Sequence, residues 1–374
     1  MPRSLAHRPR PVTSPDASRP LRVVDVAVWY GARSGGIRTY LDAKSRVAAE
    51  TGSFEHHLVI PSAQEHHEDG RHELPGVVVS RANGYRLPLD AGPLLATLRA
   101  IKPDVVLVHD PYWRPGSVVR CAQHLGSLLI AVHHGTAAAG AIGKPGPQRV
   151  WRAGLSAWER RLYRRVDAVM AYGRPPAEAE GVPLLPLRHG VDPAFRPPQS
   201  PARADHVLYA GRLSPEKGVD LLLEAMAESA WPWPLRLVGR GPAEGTLRRR
   251  VARMGLQRRV SFAPFIADPG ALCRAYAEAA CVVVPGSHET FGLVAIEAAA
   301  SGATVVASDA VPSTRHAVGL VHAFPADDAG ALAATIERVS RSDPNATAAR
   351  ALGRRLTWER AIAAELRDLE GLSR

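Results

Sequence analysis

The chain has 374 residues, of which 46% are hydrophobic and 22% charged, enough for two globular domains that each bury a core. No run of about 18 apolar residues occurs, so no membrane span is expected. The formal net charge of +11 calls for an anionic partner, but with aromatics at 6% and no nucleic-acid module in the pattern, nucleic acid is not expected to be that partner.

Residues 1–20 are rich in Pro, Ser and Arg, without periodicity. They read as a disordered tail, and the lack of an apolar h-region argues against a secretory signal. Cys121, Cys273 and Cys281 are scattered, with no disulfide framework and no zinc spacing. They read as buried small apolar side chains in a reducing cytosol.

Leu21 to Val28 is the first expected strand, and it runs into a glycine turn containing Gly35 and Gly36, with Arg38 and Tyr40 just beyond. A strand, a glycine turn and a helix let backbone approach a phosphate or a sugar. The turn is not G-x-G-x-x-G, so a dinucleotide reading is weak, and a tight turn alone is the competing account. His56 to Pro61 and Val77 to Ser80 are the next expected strands; the His-rich stretch Gln64 to His72 between them could suggest a metal, but with no second ligand cluster it reads as a solvated loop. Ala91 to Ile101 reads as a helix. Val105 to His109 and Leu128 to Val132 read as strands whose carboxyl ends carry His109-Asp110 and His133-His134. That end of a parallel strand faces the ligand crevice of an open sheet. For each histidine a satisfied core position is the alternative.

Trp151, Leu155, Trp158, Leu162 and Val166 share one face of an expected helix, with Arg152, Arg160, Arg161, Arg164 and Arg165 around it. Two readings stand side by side. One is an amphipathic helix packed on its own domain. The other is a basic flank held at an anionic membrane surface. Ala168 to Tyr172 is a strand. Leu184 to Leu187 leads into Arg188-His189-Gly190-Val191-Asp192, and the proline-rich stretch 195–203 reads as an interdomain linker.

The second half opens with the strand Val207 to Gly211 and then Arg212-Leu213-Ser214-Pro215-Glu216-Lys217-Gly218 before a helix from Val219. Arg212 supplies a planar fork and Lys217 a mobile charge, a pair suited to one phosphate site. Leu235 to Gly241 and Val260 to Phe265 are further strand ends. Helices are expected over Leu247 to Met254, Gly270 to Ala280, Ala329 to Val339 and Trp358 to Leu369, with Asp309 to Ala317 and Gly319 to Phe324 finishing the sheet. Val282 to Ser308 is the most informative stretch: strand, loop, helix from Leu293 to Ala300 ended by Gly302, and strand. Glu289 lies in the loop and Glu297 in the helix. Backbone N–H groups at the helix start favour phosphate, and a carboxylate two turns on can reach a ribose diol. A capping Glu289 and a solvated Glu297 form the bland alternative.

This last stretch resembles the Glu-x7-Glu signature of retaining, nucleotide-sugar-dependent glycosyltransferases of family 4, which have the GT-B fold. Glu289, Phe291, Gly292, Glu297, Ala298 and Gly302 match it, while Ala299 and Thr304 stand where the family often has Met and Pro. Arg212 to Gly218 resembles the family's G-R-h-x-x-x-K-G motif. Arg188 to Asp192 resembles its N-G-V-D turn, with His189 in place of Asn and able to occupy a left-handed turn. The resemblance is strong from Val207 to Ser308 and weaker over the first half.

The resemblance implies an α/β protein of two doubly wound Rossmann-like domains facing a cleft. Residues 21–195 would bind acceptor, 196–203 would link, 204–355 would bind the nucleotide sugar, and 356–374 would return to the first domain. Glu297 would hold the ribose. The backbone of Phe291, Gly292 and Leu293, with Arg212 and Lys217, would hold the diphosphate, with Gly35 and Gly36 over it. Gly239 and Phe265 would frame the base, and Glu289 and His133 would meet the transferred sugar. Arg38, Tyr40, His109 and His134 would lie on the acceptor side.

The implied reaction is transfer of a hexose to a hydroxyl of a lipid-linked or cell-envelope glycan, with retention. GDP-mannose is the favoured donor and a UDP-hexose the alternative. No cofactor is expected, and with no Asp-x-Asp triplet no metal is expected either. The implied location is the cytoplasm, peripherally on the inner face of the plasma membrane. Two rival classes are a nucleotide-sugar epimerase and a non-catalytic basic module binding membrane or nucleic acid.

Overall fold

A computed structural model of the chain describes residues 19–31, 35–80, 84–109, 115–135, 147–173, 176–199, 204–229, 232–343 and 345–372. The expected tail therefore lies almost wholly outside the described residues, as do Asp110 and residues 200–203. The chain divides into two compact units. One is Met1–Arg188 with Trp358–Arg374, and the other is His189–Thr357.

In the first unit the strands are β1 (Leu21–Val26), β2 (Phe54–Ser62), β3 (His66–Glu68), β4 (Arg71–Ser80), β5 (Tyr85–Pro88), β6 (Val105–Val108), β7 (Leu128–His133), β8 (Ala168–Ala171) and β9 (Leu184–Pro186). Its first helices are α1 (Gly36–Thr51), α2 (Gly92–Ile101), α3 (Pro115–Leu125) and α4 (Gln148–Tyr163). The second unit contains β10 (Val207–Ala210), α5 (Val219–Glu228), β11 (Leu235–Val238), α6 (Glu244–Arg253), β12 (Val260–Ala263), α7 (Pro269–Glu278), β13 (Cys281–Val284), α8 (Leu293–Ala300), β14 (Val305–Ser308), β15 (Val321–Phe324), α9 (Ala329–Val339) and α10 (Ala346–Arg355). Helix α11 (Trp358–Leu372) closes the chain as part of the first unit.

The first sheet runs β3-β4-β2-β1-β6-β7-β8-β9, with β5 paired to β4. It is parallel except at the hairpin pairings β3–β4 and β4–β5. Strands such as Val105–Val108 and Leu128–His133 are buried at every position. This is what a parallel strand covered on both faces requires, and it explains the near-continuous Val/Leu/Ile runs. The second sheet runs β12-β11-β10-β13-β14-β15, all parallel. Both orders reverse direction beside the first strand, as in doubly wound Rossmann folds.

The first unit buries a charge cluster. Asp25, on β1, receives Lys44 Nζ at 2.9 Å, His56 Nε2 at 2.8 Å and His109 Nε2 at 2.6 Å. Lys44 also reaches Glu365 of α11 at 2.7 Å, and the Tyr40 hydroxyl lies within 2.8 Å of both Glu365 oxygens. Asp25 and Lys44 are wholly buried and Glu365 is 1% exposed. Burial alone would push the Asp25 carboxyl up. The Lys44 ammonium and the hydrogen bonds from His109 and His56 outweigh it and hold the group well below the usual carboxylate range. Burial likewise pulls Lys44 down, and the Asp25 and Glu365 carboxylates more than reverse it. The cluster fastens α11 to α1 and β1 across more than 300 residues of chain.

Several expectations are corrected. The His-rich stretch is not a loop: His66–Glu68 pairs antiparallel with Arg71–Glu73 in a hairpin turned by Asp69 and Gly70, both at positive φ. Asp309 to Ala317 adds no strand. Pro312 opens a 3-10 turn through His316, with Ser313 buried, and the sheet ends on β14 and β15. His189 is not at positive φ, so the 188–192 turn does not use the left-handed region.

The division of the chain falls at Arg188/His189 and not in the proline-rich stretch. Residues 191–199 are packed on the second unit. Val191 N–H donates to Leu356 O at 2.7 Å, Phe195 lies on Tyr276, and Cys273 Sγ donates to Arg196 O. Helix α10 was not anticipated. Its N-cap is Asn345, whose side chain accepts from Ala348 N–H at 2.9 Å. The three cysteines are free and buried.

Replacing Lys44 by Met leaves Asp25 and Glu365 buried without their cation. Lys44→Met is expected to cost about 3–5 kcal/mol in urea unfolding. A loss below about 1 kcal/mol would show that the cluster does not hold the unit together. Because Asp25 is depressed in the fold, its contribution is present above the ordinary carboxylate range and disappears as pH falls through and below it.

Candidate active site

In the second unit the sheet order reverses between β10 and β13, and the loops after these two strands meet there. An open parallel sheet binds ligands beyond the carboxyl ends of its strands at such a point. The meeting is backbone against backbone. A Cβ on Gly218 would sit 3.0 Å from Pro285 O, and one on Gly286 would sit 3.0 Å from Glu216 O. Gly218 also adopts φ +70°, which ends the 3-10 turn Pro215–Lys217 and starts α5. With no side chain between the loops, Lys217 Nζ reaches Glu289 Oε1 at 2.8 Å. Both remain partly accessible, at 28% and 15% of their side chains.

The neighbouring strand end is built the same way. A Cβ on Gly239 would lie 1.9 Å from Gly211 O, so the loop after β11 can lie against the loop after β10 only as glycine. The Tyr209 hydroxyl donates to Arg212 O at 2.7 Å and fixes the start of the Arg212 loop. The Arg212 side chain is exposed and, among the described residues, has no carboxylate partner. Phe265, beyond β12, is 58% exposed.

Helix α8 begins at Gly292, which adopts φ +86° and packs so tightly that a Cβ would meet Val311 Cγ1 at 2.3 Å. Ser313 N–H donates to Phe291 O at 2.8 Å, and Ser313 Oγ to Gly292 O at 2.7 Å. These bonds hold the loop carbonyls and set the first turn from Leu293, in which Ala295 N–H donates to Gly292 O at 3.0 Å. Phe291 buries its ring edge-on against His189, with centroids 4.6 Å apart. The helix ends as expected at Gly302, φ +83°, with Ala303 N–H to Ala298 O at 3.0 Å.

Glu297 is half-buried rather than solvated. Loss of water around the carboxyl, with Asp192 nearby, pushes it up to about 7. A carboxyl poised there accepts hydrogen bonds from a diol best once ionised. His189, beside Phe291, is driven down to about 3 by burial and stays neutral.

In the first unit, Gly35 precedes α1 with open space around its Cβ position, and Gly36 is the first residue of the helix. Arg38 pairs with Asp42 at 3.1 Å. Tyr40 corrects an expectation. It is wholly buried and its hydroxyl is taken by Glu365, so it cannot meet an acceptor. His109 lies in the buried cluster. Its Nε2 lies 2.6 Å from Asp25 Oδ1 and its Nδ1 2.6 Å from His134 Nε2, so both ring nitrogens are engaged. His134 is half-buried. His133 is buried, with Nδ1 2.8 Å from the Tyr163 hydroxyl. Burial, only partly offset by Glu178, lowers it to about 4, so it is a neutral hydrogen-bonding group at pH 7.

Asp25, Lys44, Tyr209 and Ser313 do not stand out in the sequence as participants, and the turn motif that contains Asp192 does not signal its approach to Glu297. Their partners are distant in the chain, and no local spacing signals the contacts. Among the described residues no His/Cys/Asp/Glu group could hold a metal ion, and no helix is long and apolar enough to cross a membrane.

Comparison with known proteins agrees with this geometry. Residues 34–179 match the family described as Glycosyltransferase Family 4, and residues 192–355 match Glycosyl transferases group 1. The chain is 29% identical over 382 residues to the GDP-mannose-dependent alpha-(1-6)-phosphatidylinositol dimannoside mannosyltransferase of Mycobacterium tuberculosis, covering 94% of this chain and 97% of that protein. It is 32% identical over 267 residues to the GDP-mannose-dependent alpha-mannosyltransferase of Mycolicibacterium smegmatis, covering 67% and 68%. Among solved structures it is similar in fold to sucrose-phosphate synthase from Thermosynechococcus elongatus. The TM-score is 0.74 at 20% identity, over 93% of this chain and 99% of that one. With two doubly wound domains of the GT-B class and both halves matched, the chain belongs to glycosyltransferase family 4 and is a nucleotide-sugar-dependent hexosyltransferase.

Proposed function

We propose that this chain is a retaining mannosyltransferase. It would move mannose from GDP-mannose to a hydroxyl of a lipid-linked or cell-envelope acceptor at an anionic membrane surface. The observation that carries the reading is the meeting of Lys217 with Glu289 at the switch point of the second unit, directly before the helix that bears Glu297. The choice of donor, and of a lipid-borne acceptor, is supported by the relatives, one named for GDP-mannose and a phosphatidylinositol dimannoside and another for GDP-mannose.

In this reading the ribose diol donates to Glu297, and the base lies by Gly239 and Phe265. In the second unit the diphosphate is held by Arg212, Lys217 and the amides of Leu293 and Val294, and Glu289 accepts hydrogen bonds from hydroxyls of the transferred sugar. The first unit offers the Gly35–Gly36 turn and the neutral His133 as its own hydrogen-bonding groups. Cleavage of the bond between the anomeric carbon and the β-phosphate oxygen leaves extra negative charge on that phosphate. Cations aimed there stabilise the transition state more than the ground state. The acceptor oxygen bonds to the anomeric carbon on the face the phosphate leaves, and its proton passes to a phosphate oxygen. His134 and Arg38 lie on the acceptor side; His109, expected beside them, is sealed behind His134 with both ring nitrogens taken and acts only through it. The basic helix α4 faces the bilayer, so the enzyme works peripherally on the inner leaflet.

Three outcomes test this. In a thermal-shift panel without acceptor, GDP at about 100 times its dissociation constant adds ~2.7 kcal/mol, or about 2–4 °C, and GDP-mannose shifts further. UDP exceeding GDP would overturn the donor, no shift with any nucleotide would overturn the site, and an inverted product by NMR would overturn the mechanism.

Glu289→Gln frees Lys217 of its counter-charge. GDP should therefore bind as tightly as before or several-fold tighter, while kcat falls on the order of 100-fold. Equal loss of GDP affinity would assign Glu289 to the nucleotide instead.

Glu297 ionises near pH 7, and the diol prefers the ionised form. GDP affinity should therefore fall about tenfold from pH 8 to pH 6. Glu297→Gln should remove that dependence beyond what the phosphate's own titration leaves.

A further inference from the structure

Helices α3 and α4 of the first unit flank an open cavity of about 410 Å³, lined by Ser117 and Arg120 from α3 and by Trp158, Arg161 and Arg165 from α4 and the turn after it. Gly116 also lines it. A Cβ placed there would lie 3.7 Å from Arg165 Nη1 and 3.9 Å from Arg120 Nη1, so the two guanidinium groups reach over the same glycine. Among the described residues none of Arg120, Arg161 and Arg165 is paired with a carboxylate. Three guanidinium groups converging on one cavity without counter-charge repel one another, and each presents a planar fork that fits phosphate oxygens. Gly116 and Ser117 lie in the first turn of α3, where backbone N–H groups lack intrahelical acceptors, and Ser117 adds a hydroxyl donor. The charged and hydroxyl side chains lining it, Ser117, Arg120, Arg161 and Arg165, all carry donors, and Val119 and Leu162 supply apolar wall.

The surface beside the cavity is of a different kind. Along α4, Val150 is 63% exposed, Trp151 39% and Trp158 45%. Trp151 and Trp158 are seven positions apart, two turns of helix, and so present the same side. By periodicity both tryptophans share a face with Leu162 and Val166, whether that face is packed or turned to a membrane. Only the latter two are buried, so the apolar stripe is split between the core and the surface. Arg152, Arg160, Arg161 and Arg164 are exposed on the same stretch. Indoles alternating with guanidinium groups on an exposed helix suit the headgroup level of a bilayer, where an amphipathic ring is half apolar and half wet.

We propose that the α3–α4 cavity binds the phosphate of an anionic lipid headgroup, with Trp158 and Trp151 entering the interface beside it. The site gives the peripheral attachment a discrete anchor instead of a diffuse positive charge. It rests on the reading of α4 as the membrane-facing helix, and it is independent of the donor.

The test is cosedimentation of the full chain with vesicles of 30% phosphatidylglycerol in phosphatidylcholine. It compares the wild type, the Arg161→Gln/Arg165→Gln double variant and an Arg249→Gln/Arg253→Gln control, which removes the same charge from exposed positions of α6. The double variant should lose on the order of tenfold in partitioning and the control less than about twofold. Equal losses in the two would mean diffuse attraction and would overturn the site, as would no loss in either. Thermal shift with inorganic phosphate separates the sources. Stabilisation of the wild type but not of the double variant, with unchanged vesicle binding, would overturn the lipid assignment in favour of a soluble phosphate ester. Should the double variant fail by circular dichroism, the exposed Arg120→Gln carries the same comparison. GDP shifts measured on each variant keep failure of the donor reading distinct, because a lost GDP response would appear in the wild type as well.

Discussion

The loop after β10 and the loop after β13 touch through their backbones, and much of the second unit's chemistry follows from that contact. Two parallel strands end side by side at the switch point, and their loops diverge unless something lets them approach. Gly218 and Gly286 allow the approach because neither carries a Cβ that would strike the other chain. Lys217 and Glu289, 72 positions apart, then form an ion pair that remains partly open to solvent. Gly239 against Gly211 repeats the device one strand over, and Gly292 against Val311 and Ser313 repeats it at the start of α8. The glycines serve less to approach a ligand directly than to let protein loops crowd together around the place where a ligand would sit.

The two units handle charge in opposite ways. The first seals Asp25, Lys44 and Glu365 in its interior, satisfies each with hydrogen bonds, and uses them to attach a helix from the far end of the chain. Removal of any member strands the others, so the cluster is a structural commitment. Among the described residues the second unit leaves Arg212 without a carboxylate and pairs Lys217 with Glu289, and it keeps Glu297 at the edge of ionisation. Groups of that kind respond to a ligand, because its charge and hydroxyls complete what the protein has left incomplete. His109 belongs to both patterns, with one nitrogen on buried Asp25 and the other toward half-buried His134.

The basic surplus of the sequence has an analogous division. Some arginines are spent on internal pairs, such as Arg250 with Asp220 and Glu224 in the second unit. Those around the α3–α4 cavity are not paired among the described residues. The net charge of +11 is therefore unevenly distributed, and the surface carrying exposed tryptophans also carries unneutralised guanidinium groups.

The sequence by itself determined the class of fold and most elements of the second unit. A strand buried on both faces must be almost continuously apolar, so VLYA, CVVV and VVAS declare themselves. A helix that starts after Gly292 and stops at Gly302 is bounded by residues with local conformational reasons to be there. The Glu289–Glu297 and Arg212–Lys217 spacings were likewise legible, because each motif lies within one loop and the start of one helix. Tertiary structure decided what depends on distant partners. Tyr40 looked like a site residue beside a glycine turn until Glu365, 325 positions away, took its hydroxyl into the core. Trp151 and Trp158 fitted a packed face by periodicity, but a helical period specifies only which residues share a side, not what covers that side. The His-rich stretch had no apolar alternation to mark it as strand, and it pairs because β4 presents an edge beside it. The elevation of Glu297 came from burial and from Asp192, which is distant from it in the chain and brought near by the fold.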